Sequence, residues 1–248
     1  MSTLEASEFV GEGERLLKKG LFDRSRNAFL KARDLDPDSA KAPFRLAQVA
    51  MRQNNHEVAL LFGAEALSLD PDNVWIHILL GNAHRGLFCF SKSAHHYEIA
   101  ARLRPDLEQP WYGLARIAAR AGIDELKLRL QECRKLQAPD FHLCTAIAWQ
   151  HLKAGEKSSA VEILESLGTE ELSDGQLVKL AELFSRCGEA EISRELLRKF
   201  IARGNPDPFR FFLESEINPE NGLIILDNLL SKKDSSIYSE LVFSNVLR

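Results

Sequence analysis

A Pro-Asp pair recurs in this chain at a fixed interval, at Pro37-Asp38, Pro71-Asp72, Pro105-Asp106 and Pro139-Asp140, each 34 residues after the last. A fifth copy, Pro206-Asp207, follows 67 residues later. A constant period in this range is the mark of a solenoid, in which one supersecondary unit is stacked on the next. Other residue classes return in the same register. Gly13, Ala47, Gly81 and Ala115 are spaced by 34, as are Ser25, Ala59 and Ser93, and Ala32, Ala66 and Ala100. Leu35, Leu69 and Leu103 each precede the proline by two.

Each unit reads as two amphipathic helices with a break between them. In the second unit the pattern predicts helices over residues 40–53 and 57–69, separated by Asn54-Asn55. Gly20 makes the corresponding break in the first unit and Gly122 in the fourth. Proline closes the second helix or starts the next turn, because it has no N–H to donate. The recurring small residues fall where paired helices must cross closely. A bulky side chain at Ala66 or Ala100 is expected to overpack that seam, at a cost of about 1–3 kcal/mol. Leu46, Leu67, Leu80 and Tyr97 are the large residues that fill around it.

These units resemble tetratricopeptide repeats. The resemblance is carried by "LLKKGLFDRSRNAFLKARDLDP", "RLAQVAMRQNNHEVALLFGAEALSLDP" and "LLGNAHRGLFCFSKSAHHYEIAARLRP". It implies an all-α, right-handed α-solenoid of stacked helix-turn-helix repeats over residues 1–207, with about six repeats at 6–39, 40–73, 74–107, 108–140, 141–173 and 174–207. The last three are degenerate. The fourth keeps Trp111, Leu114, Ala115, Gly122 and Pro139, but has Lys127 and Arg134 where the pattern wants small residues. The fifth keeps Leu152, Gly155, Ala160 and Leu164, and the sixth Leu180, Ala181, Phe184, Gly188 and Phe200. Residues 208–248 leave the period and read as a C-terminal helical extension or the start of a further domain, with Asn218-Pro219-Glu220 as a helix start.

Composition narrows the function classes. The formal charge of −4, from 32 basic and 36 acidic side chains, exerts no global pull on nucleic acid or anionic lipid. The apolar runs are too short for a membrane span, and the start lacks a signal-peptide pattern. Cys89, Cys133, Cys144 and Cys187 are far apart and form no CxxC pair, which suits reduced, buried thiols and a cytoplasmic setting. "GEGERLLKKG" has two close glycines but follows no strand, so it is read as helix and not as a phosphate loop. His77, His84, Cys89, His95 and His96 collect in the third repeat. Their spacing lacks the tight convergence of a zinc site, and His77 and His84 are expected to be packed imidazoles with a hydrogen-bond partner. No nucleophile elbow is present. The expectation is therefore a chain without enzymatic activity, cofactor or metal.

The constellation that points to function is a stripe on the first helix of each repeat. Helical spacing gives Lys41, Phe44, Gln48 and Arg52, then Trp75, Ile78, Asn82 and Arg85, then Gln109, Tyr112, Arg116 and Arg120, then His142, Thr145, Trp149 and Leu152. Aromatics flanked by arginines are enriched at binding surfaces, and arginine grips carboxylates through its planar fork. The partner-binding residues named by this argument are Phe44, Gln48, Arg52, Trp75, Ile78, Asn82, Arg85, Tyr112, Arg116, Arg120 and Trp149. They imply a protein or peptide ligand with apolar anchors and acidic residues, with neither nucleic acid nor membrane as partner. The oligomeric state is left open by the residues. Some members of the family hold an acidic chaperone tail with a clamp of lysine, asparagine and arginine. Leu79 and Gly113 stand where that clamp wants polar groups, so this chain is not expected to share it. An interaction module or adaptor is the expected function. A substrate-recruiting arm of a larger, transferase-like enzyme continuing past Arg248 and a secretion or assembly chaperone are the alternatives.

Overall fold

The computed structural model describes residues 2–203, and the expected boundary at 207–208, the fifth Pro-Asp and the extension beyond it lie outside them. Among the described residues there are twelve α-helices and no strand: α1 (Ser2–Lys18), α2 (Phe22–Leu35), α3 (Lys41–Arg52), α4 (His56–Leu69), α5 (Val74–Gly86), α6 (Phe90–Leu103), α7 (Glu108–Ala121), α8 (Ile123–Lys135), α9 (Phe141–Lys153), α10 (Lys157–Glu165), α11 (Asp174–Cys187) and α12 (Ala190–Ala202). The expected all-helical array of hairpins is present. The chain divides into two compact units, residues 1–146 and 147–248, and the division falls inside α9.

In the first unit successive helices pair across short connections, α1 with α2, α3 with α4, α5 with α6 and α7 with α8. Short connections force antiparallel neighbours. Each odd-numbered helix also packs on the next odd-numbered one, from α1 through α7, so these helices form one wall. Helices α2, α4 and α6 all stop in the same way. Asp36, Asp70 and Arg104 leave helical geometry while their N–H groups still reach the carbonyls of Ala32, Ala66 and Ala100, and proline follows at once. The turns inside the hairpins place Gly20, Asn54, Phe88 and Gly122 at φ of 74°, 56°, 59° and 122°. Asn55 then caps α4 by accepting from the Val58 N–H at 3.2 Å, and Asn73 caps α5 by accepting from the Trp75 N–H at 3.0 Å.

The recurring small residues mark contacts that no larger side chain could make. The Ser25 hydroxyl donates to the Gly13 carbonyl at 2.8 Å, and Ser93 donates to the Gly81 carbonyl at 2.7 Å. Both serines are fully buried, so this bond joins the two helices of the hairpin and satisfies a hydroxyl that water cannot reach. The Phe29 ring lies over Gly13, and the Tyr97 ring is held between Gly81 and Gly113. A methyl group on any of these three glycines would stand 2.5–2.7 Å from ring carbons. In the second repeat the arrangement is inverted. Gly63 occupies the position of the aromatic, and Leu80 from the next repeat fills the space above it.

The fourth repeat departs from the pattern for a geometric reason. One residue, Gly122, separates α7 from α8, whereas three separate α5 from α6. The shorter connection slips α8 by one position. Lys127 and Arg134 are exposed, and Leu126, Leu130 and Cys133 take the buried face. The small-residue slot expected at Arg134 is therefore filled by Cys133. Burial raises its thiol pKa to about 12, with further contributions from Asp140 and Cys144.

In the second unit Ser173 and Gln176 form a reciprocal capping box at the start of α11. Gly188 ends that helix at φ 99°. Leu177, Leu180, Leu183, Phe184 and Phe200 are buried there.

The glycine contacts give a direct prediction. Gly113→Ala is expected to lower stability by about 1–3 kcal/mol, because the Tyr97 ring cannot retreat from a second glycine on its other side. Gly11→Ala, where an added methyl meets nothing within 4 Å, is expected to be neutral or to stabilise the helix. Urea unfolding of the two variants checks both signs.

Candidate functional site

The wall of odd-numbered helices carries a groove of about 1000 Å³ lined by residues of α1, α3 and α5. Six of the eleven expected binding residues meet in it: Phe44, Gln48, Arg52, Trp75, Ile78 and Asn82. Its floor is apolar. Ile78 and Leu79 are buried, and Leu17 and Met51 join them. Ile78 thus differs from the exposed stripe expected of it, because it also packs on Val74 and Ala100. Trp75 stands above this floor with 47% of its surface exposed.

The groove's charges are sorted by pairing. Arg45 reaches back to Glu14 at 2.5 Å and donates to the Gln48 side-chain oxygen at 2.8 Å. This holds α3 to α1 and uses the one acidic side chain on the lining. Lys18 and Arg52 keep their charges with no ion pair among the described residues. The Asn82 carbonyl oxygen accepts from the Tyr97 hydroxyl at 2.9 Å and from Arg85 at 3.3 Å. Its amide nitrogen is left as the donor offered to the groove. Arg85 therefore acts on Asn82 rather than lining the groove itself.

The remaining expected residues are placed elsewhere. Tyr112 and Arg116 lie together on α7, with the guanidinium 5.5 Å from the ring centre, and the ring of His142 is 4.7 Å from Tyr112. Tyr112 is 45% exposed. Arg120 turns to α6 and stacks 4.4 Å from the Phe90 ring. Trp149 belongs to the second unit, where it is half-buried with Arg186 at 5.2 Å and Lys153 at 5.9 Å. Glu14, Leu17, Lys18, Arg45, Met51 and Leu79 line the groove without having been expected. Glu14 and Lys18 stand 34 residues before Gln48 and Arg52, so the period extended one repeat toward the start would have named them.

Gly113 has a structural reason to lack a side chain, because Tyr97 fills the space. Leu79 is part of the groove floor.

The histidines of the third repeat form a packed cluster. His77 Nε2 is 2.9 Å from the Pro71 carbonyl, which can only accept, so this nitrogen carries the proton. Its Nδ1 then accepts from His96 Nδ1 at 3.1 Å. The His96 ring stacks on His84 at 5.5 Å, and His84 Nδ1 is buried without a partner. The expected partner is therefore present for His77 and missing at that nitrogen of His84. No group of three or more histidine, cysteine or acidic side chains among the described residues is arranged to hold a metal. "GEGERLLKKG" lies mostly within α1, as expected.

The cluster resists acid. Burial first, then the neighbouring His77, His84 and His95, pulls the His96 pKa down to about 4. Burial and Lys92 lower that of His84. A histidine that is harder to protonate when folded stabilises the fold fully above its unfolded pKa of about 6.5. That stability is lost as pH falls from there toward 4. The melting temperature is expected to drop between pH 7.5 and pH 4.5, and to drop less in His96→Leu. Thermal melts across that range measure the difference.

The chain matches known proteins in one segment by sequence and over most of its length by shape. Residues 10–74 match the family model described as tetratricopeptide repeat. No curated protein sequence matches the chain. Among solved structures, it is similar to PilF of Pseudomonas aeruginosa, at 16% identity and a TM-score of 0.57 over 87% of this chain and 99% of that one. It is similar to MamA at 15% identity and 0.57, covering 75% and 96%. It is also similar to PilW, described as a widely conserved type IV pilus biogenesis factor, at 16% identity and 0.56, covering 84% and 98%. At these identities the likeness is one of fold. No described helix is long and apolar enough to cross a membrane.

Proposed function

We propose that this tetratricopeptide repeat protein is a non-catalytic binding module whose first unit takes up a segment of a partner protein in the groove across α1, α3 and α5. The carrying observation is Trp75, half exposed above the floor of Ile78 and Leu79, with the unpaired cations Lys18 and Arg52 lining the same groove. An apolar side chain of the partner loses water against Trp75, and a carboxylate of the same segment meets a guanidinium or ammonium. The amide of Asn82, oriented by Tyr97, is positioned to donate to a backbone carbonyl of the ligand. Tyr112 and Arg116 on α7 extend the wall for a longer segment. Arg120 and Trp149 are engaged by Phe90 and Arg186, and the reading does not rest on them.

A segment that orders on binding spends part of its interaction energy on that ordering, so the affinity is moderate. The clamp that grips a chaperone tail is not part of this reading, since Leu79 and Gly113 remove it. Nucleic acid is disfavoured by the formal charge of −4. We place the protein in the cytoplasm, a setting supported by four free cysteines, of which Cys133, Cys144 and Cys187 are buried.

The test is affinity capture with the full chain as bait, followed by titration of the captured partner's binding segment. Trp75→Ala is expected to weaken binding about tenfold to a hundredfold, equivalent to roughly 1.4–2.7 kcal/mol. Arg52→Ala is expected to weaken it less, and more so at low salt. Both variants should keep the wild-type melting temperature. Unchanged affinity in the Trp75→Ala Arg52→Ala double variant would show that the groove is not the binding site.

A further inference from the structure

Phe88 is the residue of the first unit whose conformation and surroundings are both unfavourable. It sits in the turn between α5 and α6 at φ 59°, a region that a bulky side chain rarely enters. The same turn position holds Gly20, Asn54 and Gly122 in the other three hairpins, residue types that tolerate positive φ. Its ring is 74% exposed, and its one recorded ring contact is an edge-on approach to Phe90 at 6.1 Å. A strained backbone that holds an aromatic ring in water is a reason to look for something that covers the ring.

The antiparallel hairpins place this turn on a defined edge. The connections α1–α2, α3–α4, α5–α6 and α7–α8 lie along one edge of the first unit, and the Pro-Asp connections lie along the other. The first three turns carry Lys18, Lys19, Arg24, Arg52, Arg85 and Lys92 against Asp23 and Glu57, with exposed Leu21 beside them. The first two Pro-Asp connections carry Asp34, Asp36, Asp38, Asp70 and Asp72 against Lys41. The Pro-Asp edge also bears partly exposed leucines, Leu69, Leu103 and Leu136. The two edges are thus opposite in charge, and each shows apolar side chains between the charges. The near-zero charge of the whole chain conceals this separation.

We propose that the chain associates with a second copy of itself head to tail, the basic edge of one copy docking on the Pro-Asp edge of the next. Phe88 packs among the exposed leucines, and Lys19, Arg24 and Lys92 face Asp38 and Asp72. The two surfaces are different, so the contact is heterologous and adds further copies unless its rotation closes a ring. Exposed charges set the orientation, which makes the association sensitive to salt. The groove of α1, α3 and α5 is not used, so this proposal and the binding of a partner segment stand or fall separately.

Sedimentation velocity of the full chain over a range of concentrations is the test. The mean mass is expected to climb above the 27.9 kDa of one chain as concentration rises, and to return toward it at high salt. Phe88→Gly should abolish the association while raising the melting temperature, because glycine relieves the backbone. Lys19→Glu with Lys92→Glu, and separately Asp38→Lys with Asp72→Lys, should each leave a monomer. An equimolar mixture of those two double variants should associate again, since each restores the other's complement. A chain that stays at 27.9 kDa under all conditions overturns the proposal. So does a Phe88→Gly variant that melts earlier, which would make the ring structural, or association indifferent to the charge reversals. Phe88-dependent binding to anionic phospholipid vesicles without self-association would also overturn it, assigning the edge to a membrane.

Discussion

The closeness of the paired helices is what the rest of the first unit depends on. Tyr97 occupies space that exists only because Gly81 and Gly113 have no side chains. Ser25 and Ser93 hold their helices to the carbonyls of Gly13 and Gly81 by hydrogen bonds shut away from water. A hairpin held this tightly leaves little freedom in where the next one stacks, since the odd-numbered helices must then lie side by side. The groove is a product of that stacking. Tyr97 links the two directly, because its ring is core while its hydroxyl fixes the orientation of Asn82 on the groove wall. Interior packing and the polar chemistry of the surface are joined through one side chain.

Charge is organised by the same scaffold. Buried or half-buried cations are neutralised locally, as where Arg129 of α8 meets Glu98 of α6 at 2.8 Å and Glu125 and Glu132 of its own helix. That cluster spans α6 and α8 in the repeat where the slipped register has removed the small-residue seam, so electrostatics assists where close packing is weaker. Surface charges obey a different rule. Arg45 is tied to Glu14, whereas Lys18 and Arg52 are left open, and that asymmetry sets the sign of the groove.

Much of this was legible in the residues. The Pro-Asp spacing places the helix ends of α2, α4 and α6, and the aromatic and arginine stripe places six residues in one groove. Three features were not legible, each for a physical reason. The slip of α8 follows from a connection one residue long, and a residue missing from a turn leaves the Pro-Asp interval unchanged because the following turn takes up the difference. Arg120 was expected in the groove, but a cation at the last turn of α7 finds the Phe90 ring of the neighbouring helix closer to hand. Ile78 was expected to be exposed, but a position on the border of a helical stripe can serve both core and groove. The stripe was started one repeat too late, although the interval already contained Glu14 and Lys18.

By itself, the sequence determined which module is repeated, where its helices begin and end, and which face carries aromatic and basic side chains. These follow from local periodicity, the missing N–H of proline and the lack of side-chain bulk at glycine and alanine. Tertiary structure alone decided which of the charged residues are neutralised and which remain open. It also decided which aromatics are core and which stand in solvent. Those outcomes depend on distances between side chains on different helices, such as Arg45 to Glu14 and Tyr97 to Asn82, and no spacing along the chain encodes a distance across it.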